Sequence, residues 1–128
     1  MISARLLRAY RRTEYSAAGC VVTIGRRVPD RLFRRLGSRS GVFVTAWNPM
    51  SRRMPDGWNH RMQARLRERL HRLGSLPADG RLGRWHEAHL LVAVADVRPV
   101  RRVARNFRQR AIVIVRNARP AQLVLLGW

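Results

Sequence analysis

The chain has 128 residues and is 46% hydrophobic, which suits one compact α/β domain over residues 1–128 and excludes general disorder. No apolar run approaches the ~20 residues of a membrane span, and the start has no signal-peptide core, so we predict a cytoplasmic protein without a transmembrane segment. The formal net charge of +20 comes from 27 arginines, with no lysine, against seven acidic residues.

This charge indicates a positive field over most of the surface. Three interpretations follow from it. The surface binds the phosphates of nucleic acid or another polyanion, it binds an acidic protein, or it is a solvated basic surface without a dedicated partner.

The first half of the chain predicts two helices and two strands. A helix over residues 3–15 places Leu6, Leu7 and Tyr10 on one side and arginines on the other. A short strand follows over residues 20–24, where the single cysteine is expected to be a buried, inert thiol. Pro29 suits the first turn of a second helix. The next strand, residues 42–47, is apolar on both sides, as in a central strand covered on both faces.

The second half predicts two more helices and three strands. Asn59 is expected to cap a helix that runs to about Leu73, followed by a polar, glycine-containing connector over residues 75–84. An apolar strand over residues 89–95 precedes a fourth helix with Pro99 in its first turn. Two final strands, residues 111–115 and 122–126, are joined by a short loop typical of a hairpin.

This order predicts a single α/β domain with a mixed five-stranded sheet, partly parallel, covered by about four helices and ending in a C-terminal β-hairpin. In open α/β sheets, ligands bind where central strands end. The corner Trp47-Asn48-Pro49 ends such a strand abruptly. Thr45, Asn48 and Asn59 could line a pocket there, with Trp47 as an apolar wall. In the structural alternative, Asn48 orders the turn, Asn59 caps the helix and Trp47 belongs to the core.

The fourth helix carries a one-sided row of basic residues about ten residues, or ~15 Å, long. The predicted phosphate-binding row consists of Arg98, Arg101, Arg102, Arg105 and Arg108. It predicts contacts with a phosphate backbone that do not depend on base sequence. Any surface helix of so basic a chain would also show arginines on its exposed side.

Motifs for catalysis are missing from the sequence: there is no GxSxG, GxGxxG or P-loop. His86 and His89 would point to opposite faces of an extended segment, which argues against a shared metal ion. Glu87 lies before an apolar strand, where a salt bridge is the simple explanation for it. We therefore predict no catalytic residue, no cofactor and no metal, and leave open whether the protein is an enzyme.

Several segments resemble a bacterial family of small proteins known as a domain of unknown function, DUF3293. The family pattern has a strand ending in Thr-Ala-aromatic-Asn-Pro, then Ser, then a helix that begins at Asn. Later it has Glu-Pro-Ser before a strand and Phe-Gly-Gln-Asn-Ala after a helix. The matching residues here are Thr45, Ala46, Trp47, Asn48, Pro49, Ser51, Asn59, Glu87, Phe107, Gln109 and Ala111, with Ala9-Tyr10 and Thr13-Glu14-Tyr15 also similar.

Two neutral positions of the family pattern are arginines in this chain. Arg108 and Arg110 replace Gly and Asn, and Ala88-His89 replaces Pro-Ser. The resemblance ties Glu87 and Gln109 to the end of the strand, so the candidate pocket residues are Thr45, Trp47, Asn48, Asn59, Glu87 and Gln109. If the family binds a small ligand there, the two arginines imply a more anionic ligand in this member or a site that has been lost. The family carries no established activity.

The leading functional prediction is a non-enzymatic module that binds anionic partners through RNA or DNA backbone. The first alternative is a small-ligand or enzymatic pocket at the end of the strand over residues 42–47. The second is a module that binds an acidic protein. The sequence leaves the oligomeric state open.

Overall fold

The structure is a computed structural model and describes residues 2–127; Met1 and Trp128, the ends of the predicted domain, lie outside the described residues. Four helices, one 3-10 turn and seven strands form one α/β domain. In chain order they are α1 (Ala4–Arg12), β1 (Glu14–Ala17), β2 (Cys20–Val22), α2 (Asp30–Leu36), β3 (Ser40–Val44), the 3-10 turn (Pro49–Ser51), α3 (Asp56–Arg69), β4 (Ser75–Leu82), β5 (Trp85–Ala93), α4 (Arg98–Asn106), β6 (Ala111–Arg116) and β7 (Gln122–Leu125).

The strands form one sheet in the order β2-β1-β4-β5-β3-β6-β7, and every neighbouring pair is antiparallel. The predicted mixed, five-stranded sheet is therefore wrong in both strand number and direction. The prediction of four helices is confirmed, and β6 and β7 form the predicted C-terminal hairpin.

The two unpredicted strands are β1 and β4. Helix α1 stops at Arg12 because the hydroxyl of Thr13 donates to the carbonyl of Ala9 at 2.7 Å and the chain turns extended there. The segment predicted as a connector is β4, whose Pro77 and Gly80 are poor strand formers. β4 has a second neighbour, β1, only from Ala78 onward, so Pro77 is paired on one side alone.

The sheet curls until its two ends approach each other. The amide of Gly25, beyond β2, donates to the carbonyl of Ala121 at 2.8 Å, and the amide of Ala121 donates to the carbonyl of Arg26 at 2.9 Å. Ala121 directly precedes β7, the last strand of the sheet. These bonds connect the segment after β2, one edge strand, to the segment before β7, the other edge strand. The curled sheet therefore has an inner and an outer face.

Helices cover both faces. On the inner face, Leu32 and Phe33 of α2 pack in one buried cluster with Phe43 and Leu91. On the outer face, α3 and α4 pack on Val42, Val44, Val92 and Ile114, with Leu66, Leu70, Val100 and Ala104 as their buried residues. Helix α1 contributes no buried residue and lies over the part of the inner face that α2 leaves uncovered.

Some predicted boundaries are also wrong. α3 begins at Asp56, so Asn59 lies inside its first turns and is not its N-cap. α3 ends at Arg69, and Leu73 is 36% exposed rather than part of the buried stripe. β3 ends at Val44, so residues 45–47 lie beyond the ladder although they remain buried. In residues 2–127, none of the helices combines the length and hydropathy needed to span a bilayer.

Candidate functional site

A cavity of about 320 Å³ lies between α1 and the inner face of the sheet. Leu6 and Ala9 of α1 form one wall, and Tyr15, Phe43 and Val113 of the sheet form the opposite one. The ring centroids of Tyr15 and Phe43 are 5.7 Å apart. Polar side chains reach the cavity from α1, from the segment that follows β3, from β5 and from the segment before β6.

Asn48 is the centre of the polar network at this cavity. Its amide N–H donates to Oδ1 of Asn59 at 3.0 Å, and its own Oδ1 accepts from Nδ2 of Asn59 at 3.0 Å and from the amide of Met54 at 2.9 Å. Its Nδ2 donates to Oε2 of Glu87 at 2.7 Å. Asparagine suits this position because one end of its side chain must accept and the other must donate to a carboxylate.

Three further side chains, those of Thr45, Gln63 and Gln109, hold the segment between β3 and Asn48. The amide of Ala46 donates to Oε1 of Gln63 at 2.9 Å, and the hydroxyl of Thr45 donates to the carbonyl of Ala88 at 2.6 Å. Nε2 of Gln109 donates to the carbonyl of Trp47 at 3.0 Å. Thr45, Trp47, Gln63 and Gln109 are all buried. The bonds from Gln63 and Gln109 therefore satisfy backbone groups that have left the sheet but not the protein interior, and the Thr45 hydroxyl ties the segment to β5.

Two titratable side chains in the cavity have shifted pKa values. Burial raises the pKa of the Glu87 carboxyl, while the side chains of Asn48 and Trp85 act in the opposite direction by hydrogen bonding to it. Burial lowers the pKa of His89 to about 4, so its imidazole is neutral at pH 7. Nδ1 of His89 lies 3.1 Å from the carbonyl of Glu87, which assigns the ring proton to Nδ1 and leaves Nε2 as an acceptor.

Tyr10 fastens α1 over the cavity. Its hydroxyl hydrogen-bonds the side chain of Ser51, and burial raises its pKa above the ordinary value. The 3-10 turn that carries Ser51 begins directly after Asn48. The cover and the polar network are therefore connected through one turn.

Left-handed backbone is concentrated beside the cavity. Asn48, Met50, Ser51 and Arg108 have φ values of +48°, +54°, +61° and +56°. The amide of Met50 donates to the carbonyl of Arg108 at 2.8 Å, which joins the two strained segments. Strained backbone persists where surrounding contacts fix it, and such positions are concentrated at functional sites.

Five of the six predicted pocket residues line the cavity: Thr45, Trp47, Asn48, Glu87 and Gln109. Asn59 does not line it; Asn59 is buried behind Asn48 and orients it. The predicted salt bridge of Glu87 is replaced by its bond to the Asn48 amide.

Four of the predicted phosphate-binding arginines, Arg98, Arg101, Arg102 and Arg105, lie on α4, which packs on the outer face of the sheet, whereas Arg108 follows α4 in the segment beside the cavity. Arg98 makes an ion pair with Asp96 at 3.0 Å, and Nη1 of Arg105 donates to the carbonyl of Leu126. Arg101, Arg102 and Arg108 are exposed. The structure thus separates the arginines of α4 from the cavity, while Arg108 lies in the segment that leads to the cavity residues Gln109 and Arg110.

Five residues that matter here were not among the predicted pocket residues: Tyr10, Tyr15, Gln63, His89 and Arg110. Gln63 had a signal in the sequence, since it follows Asn59 by four residues on the side of α3 that carries Leu66. Tyr15 and His89 lie at positions of the family pattern, but no local signal brought them together, because their approach depends on the pairing of β1 with β4.

Comparison with known proteins gives one match. A family model described as a protein of unknown function, DUF3293, matches residues 44–112, more than half of the chain. The matched region includes Asn48, Asn59, Gln63, Glu87 and Gln109, and excludes α1 and β1. No curated protein and no solved structure matches the chain.

Proposed function

Because this chain belongs to the family DUF3293, whose description assigns no function, we propose its function from geometry: it binds a small organic molecule in the cavity beneath α1. The observation that carries this proposal is the cavity itself, at which Asn48, Glu87 and Gln109 meet although they are far apart in the sequence. It refines the small-ligand alternative and makes no claim of a chemical step.

The size and lining of the cavity support a small ligand. Its 320 Å³ lies at the lower end of the roughly 300–1,000 Å³ typical of ligand sites. Its walls are mostly apolar or aromatic, with a few polar groups held by hydrogen bonds, as in Asn48 and Gln109. Such fixed polar groups supply orientation and specificity, while the apolar walls supply most of the binding free energy.

Blocking the cavity tests the proposal. Ala9 lines the cavity from α1, whereas Ala4 is exposed on the same helix. We expect Ala9→Phe to abolish binding of a neutral aromatic probe, 2-naphthamide, and Ala4→Phe to leave it unchanged. Saturation-transfer NMR on the probe measures binding, and thermal melting shows that each variant folds. Equal binding by Ala9→Phe and wild type would contradict the proposal.

A second function is favoured by a different observation. Arg101 on α4 and Arg108 just after it are exposed, and no hydrogen bond or ion pair within residues 2–127 occupies their guanidinium groups. We propose that this face binds the phosphate backbone of RNA or DNA, in keeping with the +20 net charge. Its contacts would be independent of base sequence.

Salt dependence tests this second function. We compare two triple variants with the same change in charge. One replaces Arg101, Arg102 and Arg108 with Gln. The other replaces three exposed arginines elsewhere, Arg34, Arg35 and Arg39, with Gln. The slope of log K against log salt for a duplex oligonucleotide, followed by fluorescence anisotropy, should fall by about 0.9 for each phosphate contact removed in the first variant. Equal slopes for the two variants, or binding that ignores salt, would contradict the proposal.

A further inference from the structure

Arg110 places an uncompensated positive charge in the wall of the cavity. It lies between α4 and β6, is half-buried and lines the same cavity as Glu87. Within residues 2–127, its guanidinium has no ion pair and no hydrogen bond, and Glu87 is held instead by Asn48 and Trp85. Partly buried charges in folded proteins are normally paired, so this guanidinium calls for an anion.

Two buried donors in the same wall also lack a protein acceptor. Among the described residues, the buried side-chain nitrogens without a hydrogen-bond partner are Nε1 of Trp47, Nε of Arg110 and Nε2 of Gln63. The first two belong to side chains that line the cavity, and Trp47 is 7% exposed. Leaving a buried donor unsatisfied costs about 1–3 kcal/mol, which an acceptor on a ligand would offset.

We propose that the ligand of this cavity is a small organic carboxylate, whose apolar body packs on Tyr15 and Phe43 and whose carboxylate binds Arg110 and the indole N–H of Trp47. The inference rests on the proposed ligand-binding function of the cavity. A planar guanidinium matches a carboxylate through two parallel hydrogen bonds. A single negative charge fits better than a dianion because Glu87 shares the cavity.

A matched pair of probes isolates the charge. 2-Naphthoate and 2-naphthamide have the same apolar body and nearly the same shape, and differ in whether the end group is an anion. We expect wild type to bind the carboxylate roughly 10- to 100-fold more tightly, the range for hydrogen bonds to charged groups. Isothermal titration calorimetry measures both affinities.

Variants assign that preference to Arg110. Arg110→Gln should bind the two probes equally, whereas Arg116→Gln, an equal charge change at an exposed arginine on β6, should keep the wild-type preference. Arg110→Met, which keeps the aliphatic stem, is the second variant if Arg110→Gln does not fold. Titrations repeated in concentrated salt distinguish binding to the half-buried Arg110 from attraction to the general positive charge of the surface. Salt screens exposed charges far more than a half-buried one.

The outcomes separate the two proposals. The carboxylate inference would be overturned if wild type bound the two probes with equal affinity, or if the preference for the carboxylate survived in both Arg110 variants. In either case, binding of the amide that Ala9→Phe blocks would still support ligand binding in the cavity. A preference that vanishes in concentrated salt would also overturn the carboxylate inference. Failure of wild type to bind either probe would overturn both proposals.

Discussion

At the residue scale, single side chains and backbone conformations determine the shape of the site. Asn48 combines a left-handed backbone with four hydrogen bonds to three residues. The left-handed region is tolerated by asparagine and favoured by glycine. Arg108, at φ +56°, is neither, and it stands where the family that the chain resembles has glycine.

Replacing Arg108 by Gly should therefore stabilise the protein. Relief of the left-handed strain outweighs the added entropy of the unfolded chain, so we expect the free energy of unfolding to rise by about 0.5–1 kcal/mol. The matched control is Arg102→Gly, inside α4, which should lower it by about 1 kcal/mol. Urea unfolding followed by circular dichroism gives both values, and a loss of stability in Arg108→Gly would contradict the strain argument.

His89 should make stability depend on pH. Its pKa is about 4 in the folded protein and 6.5 ordinarily, so between these values the unfolded chain takes up a proton that the folded protein does not. Stability should therefore fall as pH drops from 6.5 to 4, by as much as about 3 kcal/mol. Burial is the main cause; Asp79 and the Glu87 carbonyl act against it, and His86 acts with it.

A difference between variants isolates this contribution. The raised pKa of Glu87 changes stability in the opposite direction. Above the ordinary pKa of 4.5, the unfolded chain loses a proton that the folded protein still holds, so the contribution of Glu87 to stability is lost as pH rises. We expect His89→Gln to flatten the fall in stability between pH 6.5 and 4, and His71→Gln, at an exposed position of the chain, to leave it unchanged. Parallel curves for His89→Gln and wild type would show that the burial of His89 does not produce the fall.

At the element scale, the helices differ in how firmly they are held. α2, α3 and α4 each bury residues in a core cluster, whereas α1 buries none. We therefore expect α1, the cover of the cavity, to be the helix that opens at the lowest cost in free energy and so to provide the route of entry for a ligand.

Removing the Tyr10 hydroxyl should loosen α1 selectively. Tyr10→Phe keeps the ring but loses the bond to Ser51, at a cost of about 1 kcal/mol, which corresponds to roughly fivefold faster opening of α1. Hydrogen exchange followed by mass spectrometry should show faster exchange in α1 and unchanged exchange in α3. Equal acceleration in α3 would mean that Tyr10 stabilises the whole domain rather than the cover.

The elements also show where prediction from sequence succeeds. α2 and α4 were predictable because their apolar residues follow the period of a helix, and β3 because it is a short, continuous apolar run. β4 was not, because Gly80 looks like a turn residue. The structure gives another reason for Gly80: a Cβ there would lie 2.8 Å from Cε1 of His89.

At the scale of the whole molecule, charge acts on stability. With a net charge of +20, the positively charged side chains repel one another, and this repulsion destabilises the compact state. We expect the melting temperature to rise by several degrees from about 0.02 M to about 0.5 M NaCl, as the Debye length falls from roughly 20 Å to below 5 Å. Differential scanning fluorimetry measures this, and a falling melting temperature would contradict a dominant role for repulsion.

The amino-acid sequence by itself determined the helices with clear two-sided patterns, the buried character of β3 and the basic surface, because these depend on local periodicity and composition. It also indicated Asn48 through the abrupt end of the strand that carries it, and Glu87 and Gln109 through a family resemblance. Only the tertiary structure decided that the sheet has seven antiparallel strands and that Arg110, Tyr10 and Trp47 meet around one cavity. Strand pairing and curvature arise from contacts between distant segments, and no local pattern in a single sequence encodes them.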